Sequence, residues 1–159
     1  RTGQTEKAIV QLELLLQAGQ DKAKYLRKLV ALYKKIGNLK KAIERAEILI
    51  KIAPKDADML NSLALIYIEM KDHSKAESLF LEAIKVDPKH HQALHNIGLI
   101  TINRAVGLVN GQKLKEGIEL LKKGRDYFER ALQSDPNSKA TIEMLEQTKR
   151  ILKELEPTK

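Results

Sequence analysis

Apolar residues along this chain recur three and four places apart instead of alternating, which is the spacing of amphipathic helices and not of strands. Leu26, Val30 and Tyr33 follow i, i+4, i+7 and so share one helix face. The pattern breaks at three prolines in like surroundings: Ile52-Ala53-Pro54-Lys55, Val86-Asp87-Pro88-Lys89 and Ser134-Asp135-Pro136-Asn137. Proline cannot continue a helix and biases the residue before it away from helical angles, so each marks the end of a segment. Stripes and breaks together predict helices over 4–18, 22–36, 39–52, 56–70, 73–86, 90–109, 112–134 and 138–155. Asp56, two residues past Pro54, is placed to cap the helix that follows.

These segments repeat. Pro54 and Pro88 set a period of 34, and sliding the chain by that interval aligns Leu26 with Leu60 and Leu94, Leu29 with Leu63 and Ile97, and Val30 with Ala64 and Gly98. Tyr33 falls on Tyr67, Gly37 on Lys71, Ala42 on Ala76 and Leu49 on Ala83. A fixed period of this length is the signature of stacked helical hairpins. The small residues Ala42 and Ala76 let the second helix of each pair approach the first closely.

The columns resemble the tetratricopeptide repeat. Leu60, Leu63, Ala64, Tyr67, Ala76, Phe80, Ala83 and Pro88 reproduce that family's alternation of large and small packing positions. Leu26, Leu29, Val30, Tyr33, Gly37, Ala42, Leu49 and Pro54 do so with softer positions at Val30 and Ala46. The resemblance covers nearly the whole chain. It implies an all-α fold: a right-handed superhelical stack of antiparallel helix hairpins, with one elongated hairpin and a C-terminal capping helix.

On that reading residues 1–159 form a single array. Residues 4–20 are the second helix of a truncated repeat, 21–54 and 55–88 are full repeats, 89–136 is a repeat with an elongated hairpin, and 137–156 is a capping helix ended by Pro157. Gly3, Ala8, Leu12 and Leu15 occupy the columns of Gly37, Ala42, Ala46 and Leu49, so the apolar face of the first helix is expected to be covered by something upstream. The interval from Pro88 to Pro136 is 48, exceeding the period of 34 by 14. Gly124–Ala131 aligns with Ala76–Ala83, which places the extra length between Asn103 and Leu121. Asn110-Gly111-Gln112 is the expected turn there, because Asn and Gly tolerate positive φ. Ile102, Ala105, Val106, Leu108, Val109, Leu114, Ile118 and Leu121 keep a helical period, so two lengthened helices are expected, each longer by roughly two turns. A last helix with a polar outer face suits the end of such an array.

Composition narrows the class. Hydrophobic residues make up 43% but aromatics only 4%, with no Trp, so the core must rest on Leu, Ile and Ala. Charged residues reach 31% and no apolar run approaches the roughly 18 residues that span a bilayer, which excludes a membrane-embedded chain. The absence of cysteine excludes disulfides, Cys-ligated zinc and a thiol nucleophile. It fits a reducing compartment, with the cytoplasm slightly favoured, and is equally compatible with a periplasmic or lumenal setting. The net charge of +8 is concentrated in residues 1–50, where 11 basic side chains face 5 acidic ones. An acidic protein or peptide, or an anionic membrane surface, is the physical expectation. No nucleic-acid recognition module is visible, and few aromatics are present to stack on bases.

The sequence carries no phosphate-cradling glycine loop and no nucleophile elbow, and none of its five serines has a His/Asp setting. It therefore reads as non-enzymatic, with no catalytic residue, cofactor or metal. His91 and His95 have the i, i+4 spacing of zinc ligands, but no cysteine assists them. The favoured reading puts His90 near a helix N-cap, and His91 and His95 against solvent or a partner.

The remaining signal is a surface. In the fold implied by the resemblance, the first helix of each repeat lines a concave groove. Its expected lining is Lys24, Arg27 and Lys34, then Asn61, Leu65 and Ile68, then Gln92, His95, Leu99 and Ile102. The early part is basic; the later part has an apolar floor. The function so implied is a scaffold or adaptor holding an extended peptide or helix. The alternative is a self-assembling homo-oligomeric scaffold using the N-terminal edge or the long fourth hairpin. Some tetratricopeptide co-chaperones clamp the C-terminal carboxylate of heat-shock chaperones with Lys, Asn and Arg; here the corresponding columns hold Arg27, Ala31, Ser62, Gln92 and Asn96, so no such clamp is expected.

Overall fold

A computed structural model of the protein describes residues 2–19 and 21–156, so Pro157, the expected stop of the last helix, lies outside the described residues. Those residues form eight helices and no strand: α1 (Thr2–Gln17), α2 (Lys22–Lys35), α3 (Leu39–Ile52), α4 (Ala57–Glu69), α5 (His73–Val86), α6 (His91–Asn110), α7 (Leu114–Ser134) and α8 (Lys139–Leu155). Each begins and ends within two residues of the span predicted from the pattern. No helix among the described residues is long and apolar enough to cross a membrane. The chain divides into two compact units, residues 1–79 and 80–159, with the boundary inside α5.

In the first unit α2 folds back on α3, and α1 packs on α2. Their shared core is Leu26, Leu29, Ala42, Ala46 and Leu49, all fully buried. Tyr33 and Tyr67, one period apart, are both buried, and each has a lysine over its ring: Lys41 at 5.5 Å and Lys75 at 5.0 Å. The two lysines are themselves one period apart, so the repeat extends to the side chains that shield the core from solvent. Glu13 ties α1 to its neighbours. It accepts two hydrogen bonds from Arg45, at 2.9 and 3.0 Å, and one from the Tyr33 hydroxyl at 2.9 Å.

The hairpin turns share one geometry. Gly37, Lys71 and Gln112 each take a left-handed conformation, with φ of 75°, 63° and 64°. The amide of the next residue then donates back into the preceding helix at 2.9 Å, from Asn38 to Tyr33, Asp72 to Tyr67 and Lys113 to Leu108. The left-handed residue thus sits just before the residue that opens the next helix. At the long hairpin this makes it Gln112, not Asn110 or Gly111, because hydrogen-bond register outweighs local preference. Asn38 and Asp72 also cap their helices, accepting from the Lys41 and Lys75 amides at 3.2 and 3.1 Å.

In the second unit the lengthened helices α6 and α7 pack closely along their whole length, and α8 lies against both. Close approach is set by glycines. A Cβ at Gly98 would stand 2.6 Å from the Phe128 ring, and one at Gly117 would stand 2.5 Å from Val109. Ile102, Ala105, Leu121, Phe128, Leu145 and Leu152 form the core of this unit. α8 contributes its stripe Thr141, Leu145, Thr148 and Leu152, all buried. The Thr148 hydroxyl satisfies itself by donating to the Met144 carbonyl at 2.7 Å, which lets a polar residue occupy a core position.

Candidate peptide-binding surface

In the first unit the expected groove residues lie on α2 and α4. Asp56 caps α4, one carboxylate oxygen accepting from the Met59 amide at 3.1 Å while the other pairs with Arg27. At the far end Lys34 pairs with Glu69 at 2.9 Å. The α2 stripe is therefore not a row of free cations. Two of its three expected basic residues are neutralised by carboxylates at the two ends of α4, a cross-helix pairing that spacing along one helix does not reveal. Lys24 is exposed. On α4, Asn61 is buried, while Leu65 and Ile68 are partly exposed. Along the chain the apolar pair lies between Asp56 and Glu69, the two α4 partners of the ion pairs.

The second unit places its four expected residues differently. Gln92 is exposed. Ile102 is only 7% exposed and belongs to the core with Leu145 and Leu152, and Leu99 packs against that cluster. His95 is only partly exposed: its Nδ1 lies 2.9 Å from the Thr141 hydroxyl, and its ring tilts against Phe128 at 5.7 Å. Burial, reinforced by the charge of His91, pushes the His95 pKa down. His91 in turn lies 3.2 Å from the Ser138 hydroxyl, which is 2.9 Å from that of Thr141. The two histidines thus hold the start of α8 through a chain of hydroxyls. His90 caps α6, accepting from the Ala93 amide at 3.1 Å. Three of the four residues expected to floor a groove on α6 are taken up in packing with α7 and α8, because the terminal helix lies over this face.

Two clefts in the first unit were not legible in the sequence. One, of about 490 Å3, is lined by apolar residues that include Ile50, Leu63, Tyr67 and Leu79 and by polar ones that include Glu47 and Lys51. The other, of about 420 Å3, lies between α1 and α2. No cluster of three or more His, Asp or Glu with metal-ligating proximity occurs among the described residues.

Helix pairs of like length, repeating turns and a recurring buried tyrosine define a helical-repeat protein. Residues 57–90 match the tetratricopeptide repeat family, and the chain has the tetratricopeptide fold. Solved structures agree. MamA superposes with a TM-score of 0.72 at 18% identity, over 96% of this chain and 78% of its own. The Sgt2 tetratricopeptide domain from Aspergillus fumigatus gives 0.65 at 23% identity, over 88% and 87%. The second tetratricopeptide domain of human RPAP3, solved with the HSP70 peptide SGPTIEEVD, gives 0.61 at 20% identity, over 80% and 95%. None of the curated protein sequences compared matches the chain.

Proposed function

We propose that the protein is a non-enzymatic adaptor that holds an extended peptide or a helix on the α2–α4 face of its first unit. The observation that carries this reading is the partly exposed pair Leu65 and Ile68 on α4, the helix whose two ends hold the ion pairs Arg27–Asp56 and Lys34–Glu69. Apolar area flanked by fixed charge offers burial for affinity and polar groups for register. Peptide complexes of similar folds, such as that of RPAP3, support a peptide as the ligand. Of the columns that would clamp a terminal carboxylate only Arg27 keeps the chemistry, and it pairs with Asp56, while the others hold Ala31, Ser62, Gln92 and Asn96, so the ligand is read through its side chains and not its C-terminus.

The test is peptide display. Sequences selected on the chain are measured by fluorescence polarisation against it and against the double variant Leu65→Asp, Ile68→Asp. Selected peptides should carry an apolar stripe and lose about tenfold or more in affinity for the variant. Peptides that bind both forms equally would sink the reading.

A further inference from the structure

The cavity of about 490 Å3 in the first unit has a filled counterpart one period earlier. Its wall is drawn from α3, α4 and α5 and includes Glu47, Tyr67, Lys75 and Leu79. One period back the same columns hold Glu13, Tyr33, Lys41 and Arg45, on α1, α2 and α3. Glutamate, tyrosine and lysine recur, and each lysine lies over its tyrosine ring. The fourth column differs. Arg45 donates to the two oxygens of Glu13 at 2.9 and 3.0 Å, whereas Leu79 is shorter and carries no donor. The space that a guanidinium and its stem take up beside Glu13 is thus open beside Glu47. Among the described residues Glu47 has no ion-pair or hydrogen-bond partner, and it is exposed.

We propose that this cavity accepts an arginine side chain from a partner protein. Its guanidinium pairs with Glu47, and its methylene stem lies on Ile50, Leu63 and Leu79. Arginine fits better than lysine because in the filled counterpart each carboxylate oxygen takes its own donor from one planar fork. Magnitude favours a partner chain over a free guanidine. An exposed ion pair contributes at most roughly fivefold in affinity, too little to offset the entropy lost on association, so residues beside the arginine must add contacts. The chain itself does not supply the group. Both arginines among the described residues of this unit are engaged, Arg27 with Asp56 and Arg45 with Glu13. Stacked repeats touch only their neighbours, so a repeat preceding α1 would stack on α1 and not on the α3–α5 wall. Lys51 stands where the counterpart has Gln17, and its charge opposes a cation in the cavity. Leu63 and Tyr67 belong to one stripe of α4, and Leu65 and Ile68 to another, so this site is distinct from the α2–α4 face.

The test selects displayed peptides on the full chain and discards those that also bind Leu79→Arg, which supplies a guanidinium beside Glu47 from within. The peptides kept should carry an arginine. Replacing it with citrulline, which keeps the shape and removes the charge, should lower affinity about fivefold by fluorescence polarisation. Glu47→Gln should erase that difference, and Lys51→Gln should tighten binding of the arginine form. Leu79→Arg should also raise the thermal midpoint, which shows that its loss of binding is not unfolding. Selection of peptides without arginine, or equal affinity of the arginine and citrulline forms, overturns the proposal. So does agmatine binding as tightly as the peptide, since the ligand is then a free small molecule. Concentration-dependent self-association that Glu47→Gln removes overturns it as well, because the occupant is then a second copy of this chain. The double variant Leu65→Asp, Ile68→Asp should leave the arginine peptide's affinity unchanged, so the two sites succeed or fail separately.

Discussion

Gly124 of α7 faces Ile102 of α6 so closely that a methyl group added at Gly124 would overlap the Ile102 side chain. Gly107 of α6, by contrast, has open space where its Cβ would stand. Opposite outcomes follow for the same substitution. Gly107→Ala should stabilise the protein by about 0.5–1 kcal/mol, because alanine loses less backbone entropy in a helix. Gly124→Ala gains that term too, but overpacking of about 1–3 kcal/mol should exceed it. Denaturant unfolding of the two variants checks the sign: Gly107→Ala raises the midpoint and Gly124→Ala lowers it. A rise in both would show that α6 and α7 are not in close contact at Gly124.

The Glu13–Arg45 pair fastens α1 through two parallel hydrogen bonds and is only about one-quarter exposed on either side, at 22% and 24%. A double-mutant cycle with Glu13→Gln and Arg45→Met should give a coupling of about 1 kcal/mol, more than the usual exposed pair. Burial pushes the Glu13 pKa up, but hydrogen bonds from Arg45 and Tyr33 and the charges of Arg45 and Lys41 outweigh it and hold the carboxyl below its ordinary 4.5. The stability it contributes is therefore complete above pH 4.5 and is lost as pH falls through the lower folded value. Glu13→Gln should flatten acid unfolding in that range.

His95 acts in a higher window. Its folded pKa is depressed, so the unfolded chain takes up the proton first. Its contribution to stability is complete above the ordinary value of 6.5 and declines as pH falls through 6.5 towards the folded value. His91 and Asp135 lie beside it in the same hydroxyl-linked cluster. His95→Gln should reduce the pH slope of the unfolding free energy below 6.5, read by urea titration at several pH values. An unchanged slope would mean that the ring is not buried against Phe128 and α8.

Lys71 and Gln112 hold left-handed backbone where Gly37 stands in the equivalent turn. For a residue with a Cβ that conformation costs about 1–2 kcal/mol, and glycine avoids it while giving back part of the gain as unfolded-state entropy. Lys71→Gly and Gln112→Gly should each raise stability by about 0.5 kcal/mol, seen as a higher denaturation midpoint. Gly37→Ala should lower it by more.

Much of the fold was legible because hydrophobic period and proline spacing are local quantities. Tyr33 and Tyr67 align by counting one period along the chain, and they do occupy like places, each under a lysine. The sequence locates the turn at 110–112 but does not say which of its residues is left-handed, since turn preference names a residue type whereas hydrogen-bond register fixes the position. The candidate site was less legible. Arg27 and Lys34 read only as basic groove lining, without their carboxylate partners, because Asp56 and Glu69 belong to the following repeat. Ile102 and His95 read as groove because α8, beyond the whole of α7 in sequence, covers them.

What the sequence determined by itself is the repeating unit: helix, turn and helix, with the faces each must bury, because those depend on neighbours within one turn or one period. Only the tertiary structure decided which exposed faces remain. Whether Leu15, Leu65 or Ile102 meets water depends on which distant helix lies across it, and side-chain type and spacing carry no record of that.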